Sequence, residues 1–275
     1  MDIISTYFPD EYIGSFIRRN KELQCEYKFS KNDYETQRIS FRDKDNTEIL
    51  PRSIRQICDQ ERVLTDTTLH PIAKKLGILK KITTVITPTE KWSICEQCVT
   101  EDIESVGVAY IHRQHIVPGL TVCYKHAGPL KSVCIACSTA IKWHHITGFY
   151  QCHKSYAPLK YDNAPTPHHF QLSEFSADLI SIDITHVPNV NSKKLIRQRL
   201  CELGYGKIEN IDYVAVSEDI IKILGPGIHK NGLPSAWSNF PSPTLSSLIK
   251  LGYFAYRKAE SYKRDVETTT LTERL

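Results

Sequence analysis

Apolar positions in this chain recur mostly at helical spacing. In PDEYIGSFIRRN (9–20), Tyr12, Ile13, Phe16 and Ile17 share one face, while Pro9 suits a first turn and Asp10 and Glu11 suit its positive dipole end. Residues 30–50 are polar and turn-rich, with DKDN near the middle, and read as a loop or surface ribbon. RSIRQICDQERVL (52–64) repeats the helical pattern through Ile54, Ile57, Cys58 and Leu64. After it, Thr67 or Thr68 can cap a short helix that ends at Gly77. Three short helices with tight connections predict a small helix-turn-helix-like unit.

Downstream the pattern changes twice. ILKKITTVITP (78–88) is β-rich, and SYAPLKYDNAPTPH (155–168) has three prolines and no period, as a linker would. Helical spacing returns in SEFSADLISI (173–182), in SKKLIRQRLCELGYG (192–206) with Ser192 as cap and Gly204 as stop, in DYVAVSEDIIKILG (212–225) and in PTLSSLIKLGYFAYRKA (243–259). From Val266 onward the chain is polar and reads as a frayed end.

The chain has 275 residues, 41% hydrophobic and 24% charged, enough for two or three small domains with ordinary cores. The amino terminus MDIISTYFPDEYIG lacks the basic region and apolar run of a secretory signal, and no apolar stretch approaches the roughly 18 residues of a membrane span. A cytoplasmic protein with no membrane partner is therefore expected. In that reducing compartment, closely spaced cysteines point to metal rather than disulfides. The net charge of +4 permits nucleic-acid binding without demanding it. Its distribution says more: Lys193, Lys194, Arg197 and Arg199 lie in one stretch with no acidic residue, and Arg18-Arg19 and Lys80-Lys81 are also basic. A solvated helix face and a phosphate-contacting one both fit that stretch.

Six of the nine cysteines and six of the 11 histidines lie between Cys95 and His153. Zinc takes about four N or S donors in a tetrahedron, and a C-x-x-C knuckle supplies two from one turn. Cys95 and Cys98 form one knuckle and Cys123 and His126 a second of equal spacing, which completes a Cys3His set. Cys134 and Cys137 form a third knuckle, and Cys152 adds one more donor. The fourth donor of this second site is open among His153, His144, His145 and His168; His153 is the nearest, although adjacency to Cys152 strains joint coordination. Four protein donors leave no position for a water. H-E-x-x-H, the H-x-E that accompanies P-C-x-x-C in zinc deaminases, and G-x-x-x-x-G-K-[ST] are all absent, so the first site reads as structural and the chain as a non-enzyme. The expected fold is mainly α with small zinc-finger β elements. It divides into a helix-turn-helix-like domain over 1–90, a tandem zinc-finger region over 91–157 and a helical, helix-turn-helix-like domain over 158–275.

The segment VGVAYIHRQHIVPGLTVCYKHAGPL (106–130) resembles the signature of the TniQ/TnsD family. In that signature a C-x-x-C precedes G-x-A-Y-W-H-R-x-H-Q-L-P-G-x-x-V-C-x-x-H-x-x-P-L. Gly107, Ala109, Tyr110, His112, Arg113, His115, Pro118, Gly119, Cys123, His126, Pro129 and Leu130 match, and Ile111 stands where the family usually has tryptophan. FPDEYIGSFIRR is similar to the family's amino-terminal P-x-x-E-L-x-x-S-x-L-x-R helix, TTLHPIAKKL to its H-T-x-x-P segment, and RQRLCELGYGKIENIDYVAVSEDIIKILG to its later helical region. The resemblance is diagnostic only over residues 95–130.

The resemblance implies a target-selection subunit of a bacterial DNA transposon, nucleoid-associated and without chemistry of its own. Its implied partners are a TnsC-like AAA+ ATPase and either a CRISPR effector complex with guide RNA, in the TniQ branch, or an attachment-site DNA, in the TnsD branch. A homodimer fits either. The TniQ branch is favoured because only about 110 residues follow the linker. A zinc-stabilised helix-turn-helix transcription regulator is the alternative outside the family. On these readings the helices around Lys193–Arg199 and Asp212–Leu224 would form a helix-turn-helix with phosphate contacts. His112 and His115 would belong to the finger's framework or meet a partner, and Arg113 would meet a phosphate, an acidic patch or a surface carboxylate.

Overall fold

The computed structural model describes residues 6–23, 60–77, 92–149, 152, 166–184, 191–225 and 245–272. The expected ribbon at 30–50, the β-rich stretch 78–88, most of the linker and residues 52–59 lie outside them. The described elements are mainly helical, and none of the helices is long and apolar enough to cross a membrane. The chain forms two compact units, one of residues 1–70, 81–117 and 125–164, the other of 71–80, 118–124 and 165–275.

In the first unit α1 spans Ile13–Leu23, α2 Gln60–Thr67 and α4 Glu96–Val106, with single 3-10 turns at Arg113–Ile116 and Ile141–Trp143; α3, His70–Lys75, comes next after α2 in the chain and from Pro71 onward belongs to the second unit. The spacing predicts a helix from Pro9, but α1 starts at Ile13 for a tertiary reason. Asp10 adopts φ 57° and Glu11 pairs in an antiparallel bridge with His112, so these backbones are committed to a neighbouring segment. The Tyr12 N–H donates to the Ile111 carbonyl at 2.7 Å, and that of Arg113 to the Asp10 carbonyl at 2.9 Å. The predicted apolar face is buried through Tyr12, Ile13 and Phe16, and the Tyr12 ring meets Trp92 edge-on at 5.3 Å. Thr68, not Thr67, accepts the His70 N–H at the start of α3. Gly77, in the left-handed region at φ 63°, ends that turn.

The basic pair Arg18-Arg19 is internal. Arg19 forms a buried ion pair with Glu11 at 2.8 Å, and Glu11 also accepts Ser15 Oγ and the Phe8 N–H. Arg18 lies 4.4 Å over the Trp92 ring and donates to the His144 carbonyl; burial lowers its pKa to about 10. Neither residue presents charge to a partner.

In the second unit α5 spans Pro167–Ser181, α6 Ser192–Glu202, α7 Tyr213–Leu224, α8 Leu245–Tyr256 and α9 Ala259–Thr272. A two-stranded ribbon, β1 (Gly206–Lys207) with β2 (Asn210–Ile211), lies between α6 and α7. α8 is buried along its whole length and packs on α5, α6 and α9. At about 1.5–3 kcal/mol per buried large apolar side chain, Leu248, Ile249, Leu251 and Phe254 make it the main source of cohesion here. Four local expectations change. α5 starts at Pro167, inside the expected linker, behind a Thr166 cap. Asn191 rather than Ser192 caps α6 by accepting the Lys194 N–H, because the Ser192 hydroxyl is buried against Tyr262. The run 243–259 breaks at Arg257, φ 60°. The end expected to fray continues as α9, because Tyr262 and Val266, one turn apart, are both buried.

Candidate metal centres

Cys95 precedes α4 and Cys98 lies in its first turn, while Cys123 and His126 close a tight turn further along the chain. The ligand atoms of Cys95, Cys98, Cys123 and His126 lie within 4.8 Å of one another. The Nδ1 atom of His126 is 3.3 Å from Cys98 Sγ and 3.6 Å from Cys95 Sγ. Tetrahedral zinc, with Zn–S about 2.3 Å and Zn–N about 2.0–2.1 Å, sets such atoms about 3.5 Å apart. The ring is also oriented to coordinate through Nδ1, because Nε2–H donates to Glu101 Oε1 at 2.8 Å, which leaves Nδ1 as the nitrogen that faces the sulfurs. Glu101 sits one turn after Cys98 on α4 and pairs as well with Lys125. Those two hydrogen bonds, Lys125 first, hold its carboxyl below the ordinary range.

The signature segment packs behind this site. The Nε2 atom of His112 lies 2.9 and 3.2 Å from the two oxygens of Asp102, and its ring stacks on Tyr110 at 4.5 Å. Tyr110 in turn donates to the Pro9 carbonyl. His115 Nε2 lies 3.8 Å from Cys98 Sγ; burial, and then His112, lower its pKa to about 3, so the ring is neutral. Arg113 pairs with Asp10 at 2.7 Å and donates to the Thr65 carbonyl, so of its expected contacts the carboxylate within the chain is the one seen here.

The second cluster joins Cys134, Cys137, His144 and Cys152, again with all four ligand atoms within 4.8 Å. Of the four histidines left open as fourth donor, His144 stands in this cluster, whereas His153 lies outside the described residues. His144 reaches the knuckle because Ala140 bridges to Val133 and the Ile141–Trp143 turn folds the chain back. Its Nδ1–H donates to the His145 carbonyl at 2.7 Å, which leaves Nε2 as the donor atom, 3.2 Å from Cys152 Sγ. The ring stacks on Phe149 at 4.7 Å. The loop behind it is tied to α1: the buried Glu22 carboxylate accepts the Ile146 and Thr147 N–H groups and the Thr147 hydroxyl. Both clusters thus fit a metal ion and are compatible with zinc. Soft thiolates with one imidazole would hold it in a closed set, where its role is to cross-link the chain.

Glu101, Asp102 and Glu22 escape a reading of motifs because carboxylates are common. The traces they leave are positional: Glu101 follows Cys98 by one turn, and Glu22 extends the buried face of α1. In the basic stretch, Lys193 and Lys194 are exposed, whereas Arg199 pairs with Glu202 at 2.5 Å and Arg197 is half-buried. The connection between α6 and α7, residues 203–212 with its ribbon, is longer than the three or four residues of a helix-turn-helix. Comparison with protein-family models finds no match, and comparison with curated proteins finds none either.

Proposed function

We propose that this protein is a transposition target-selection adaptor of the TniQ kind, which links an RNA-guided effector complex or target DNA to a TnsC-like AAA+ ATPase. The observation that carries the reading is the use made of the signature residues. Tyr110, His112, Arg113 and His115 bind Pro9, Asp102, Asp10 and Cys98, so the segment resembling the family joins the first cluster to the amino-terminal segment that also resembles it. A shared pattern with an architectural role is what a common fold would preserve. Closed four-donor clusters suit an adaptor, since they stabilise a docking surface without offering a coordination position to substrate.

Crosslinking and affinity capture of the tagged protein from cells, with identification of bound proteins and nucleic acids, tests this. Recovery of a AAA+ ATPase together with effector subunits and guide RNA is the expected result. Recovery of promoter DNA with neither would favour a zinc-stabilised transcription regulator. The exposed Lys193 and Lys194 favour a second reading within the family, direct binding to an attachment site. In that case the purified protein protects one DNA segment, and Lys193→Ala with Lys194→Ala reduces the slope of log K against log salt by about 0.9 for each phosphate no longer neutralised.

A further inference from the structure

The corner between α6 and α7 exposes more apolar surface than its length explains. Leu203 at the end of α6, Ile208 at the tip of the ribbon and Val214 in the first turn of α7 are 46%, 43% and 59% exposed. They are three of the seven exposed large apolar side chains among the described residues, and they fall within 12 consecutive positions. Single apolar residues are ordinary on a surface, whereas a group of them bordered by polar residues marks a docking site. The backbone gathers these three. The Asp212 N–H donates to the Tyr205 carbonyl at 2.8 Å, and Gly206 pairs with Ile211. A chain covers at most about 3.6 Å per residue, so the Cα atoms of Leu203 and Val214 lie within about 7 Å of that bonded pair and that of Ile208 within about 11 Å. The platform is also fixed in advance. The Tyr205 hydroxyl donates to Asp219 on α7 at 2.7 Å, and its ring meets Phe254 of α8 at 5.6 Å. Asp212 caps α7 by accepting the Val214 and Ala215 N–H groups. Such ties lower the ordering cost of association.

Charge selects the partner. From Glu202 to Leu224 the acidic residues Glu202, Glu209, Asp212, Glu218 and Asp219 outnumber Lys207 and Lys222, in a chain whose net charge is +4. Lys222 is paired with Asp219 at 2.7 Å, and Glu202 with Arg199. Glu209 adjoins Ile208, and Asp212 precedes Val214 by two residues; both carboxylates are exposed. The basic start of α6 at Lys194 lies about 14 Å from Leu203, at about 1.5 Å per helical residue. A phosphate backbone is disfavoured at this acidic end. An apolar group bordered by carboxylates fits an amphipathic helix whose apolar anchors are flanked by lysine or arginine. Addition of a strand fits less well, because each strand of the ribbon has two residues. α6 of a second copy does not supply such a helix, since its Leu195, Ile196 and Leu200 are already buried.

We propose that Leu203, Ile208 and Val214, with Glu209 and Asp212 beside them, dock a basic amphipathic helix of another protein. The site does not depend on the adaptor function, and its failure would leave that function intact.

The test uses the full-length, metal-loaded protein and three fluorescent peptides followed by anisotropy. The first is a helix with leucine at i, i+3, i+4 and i+7 and lysine elsewhere; the second has the same residues scrambled; the third keeps the leucines and replaces lysine by glutamate. Saturable binding of the first is expected, at least tenfold tighter than either control and weaker as salt rises. Ile208→Ser with Val214→Ser should weaken it at least tenfold, as loss of apolar anchors does. Glu209→Lys should weaken it about threefold and flatten its salt dependence. These side chains are exposed, and Leu203→Ser gives the same reading if the double variant melts lower. Equal binding of the scrambled peptide, or equal binding by the folded variants, would overturn the site. Duplex DNA binding that the double variant abolishes would overturn it by making the corner a nucleic-acid contact, and self-association that it abolishes would do so by making a second copy the occupant.

Discussion

The second metal cluster turns on one histidine. His144 has its Nδ1 proton committed to the His145 carbonyl and its Nε2 beside Cys152, so His144→Ala removes the one imidazole that the described residues bring to this cluster. Elemental analysis of the purified variant should fall from two zinc ions per chain to one, whereas His153→Ala should retain two. The reverse result would move the fourth ligand to His153. Glu101 acts through another residue. Glu101→Gln keeps the size but weakens the acceptor that holds His126, and loss of such a supporting carboxylate lowers metal affinity about 10–100-fold. Chelator competition monitored with a zinc indicator reads that change directly. A conformational detail at the same scale unites the knuckles: the residue after the second donor, Ala127 in one and Ser138 in the other, has φ 53° and 58°. Left-handed backbone costs a non-glycine residue about 1–2 kcal/mol, so Ser138→Gly should raise rather than lower the melting temperature, less the entropy that glycine adds to the unfolded chain.

At the level of elements, α1 is the best example of what packing adds to sequence. Its apolar face is readable from spacing, but its polar residues are equally buried: Glu11 at 0%, Ser15 at 0%, Arg19 at 2% and Glu22 at 3% exposure. Removal of one partner from a buried pair leaves the other charge uncompensated, so Glu11→Ala should destabilise by about 3–5 kcal/mol. Urea unfolding of the metal-loaded protein measures this; a loss under about 1 kcal/mol would mean that Arg19 finds another acceptor. The first knuckle pairs are legible because their donors come at fixed local spacing. His144 is not, because a lone position in IKWHH becomes a donor only when the 141–143 turn brings it over the third knuckle. The start of α1 is hidden for a similar reason, since Glu11 pairs with His112, far along the chain. α9 is obscured by its threonine-rich sequence, although Tyr262 and Val266 carry the buried spacing in plain view. Between α6 and α7, helical spacing marks both helices, but the short ribbon at 206–211 carries no periodic signal from which to expect it.

For the whole chain, the two clusters differ in access, and that difference orders their response to metal withdrawal. In the first, all three cysteines are buried; in the second, Cys137 is exposed and Cys152 half-exposed. A chelator or a thiol reagent reaches the second cluster first. Release monitored with a zinc indicator should therefore show two phases of one equivalent each, with the faster phase absent from His144→Ala. The faster loss should also have a mechanical consequence. Arg18 donates to the His144 carbonyl, and Glu22 accepts the Ile146 and Thr147 N–H groups, so the loop carrying His144 and the end of α1 hold each other. With the donors no longer bound to one ion, that loop loses its cross-link, and the buried Glu22 and Arg18 lose fixed partners. Amide exchange at Ile146 and Thr147 should then rise along with exchange in α1, before exchange in α4 changes, because Cys95 and Cys98, at the start of α4, belong to the slower cluster. Simultaneous release of both ions, or exchange that rises in α4 first, would show that exposure of Cys137 does not govern the order.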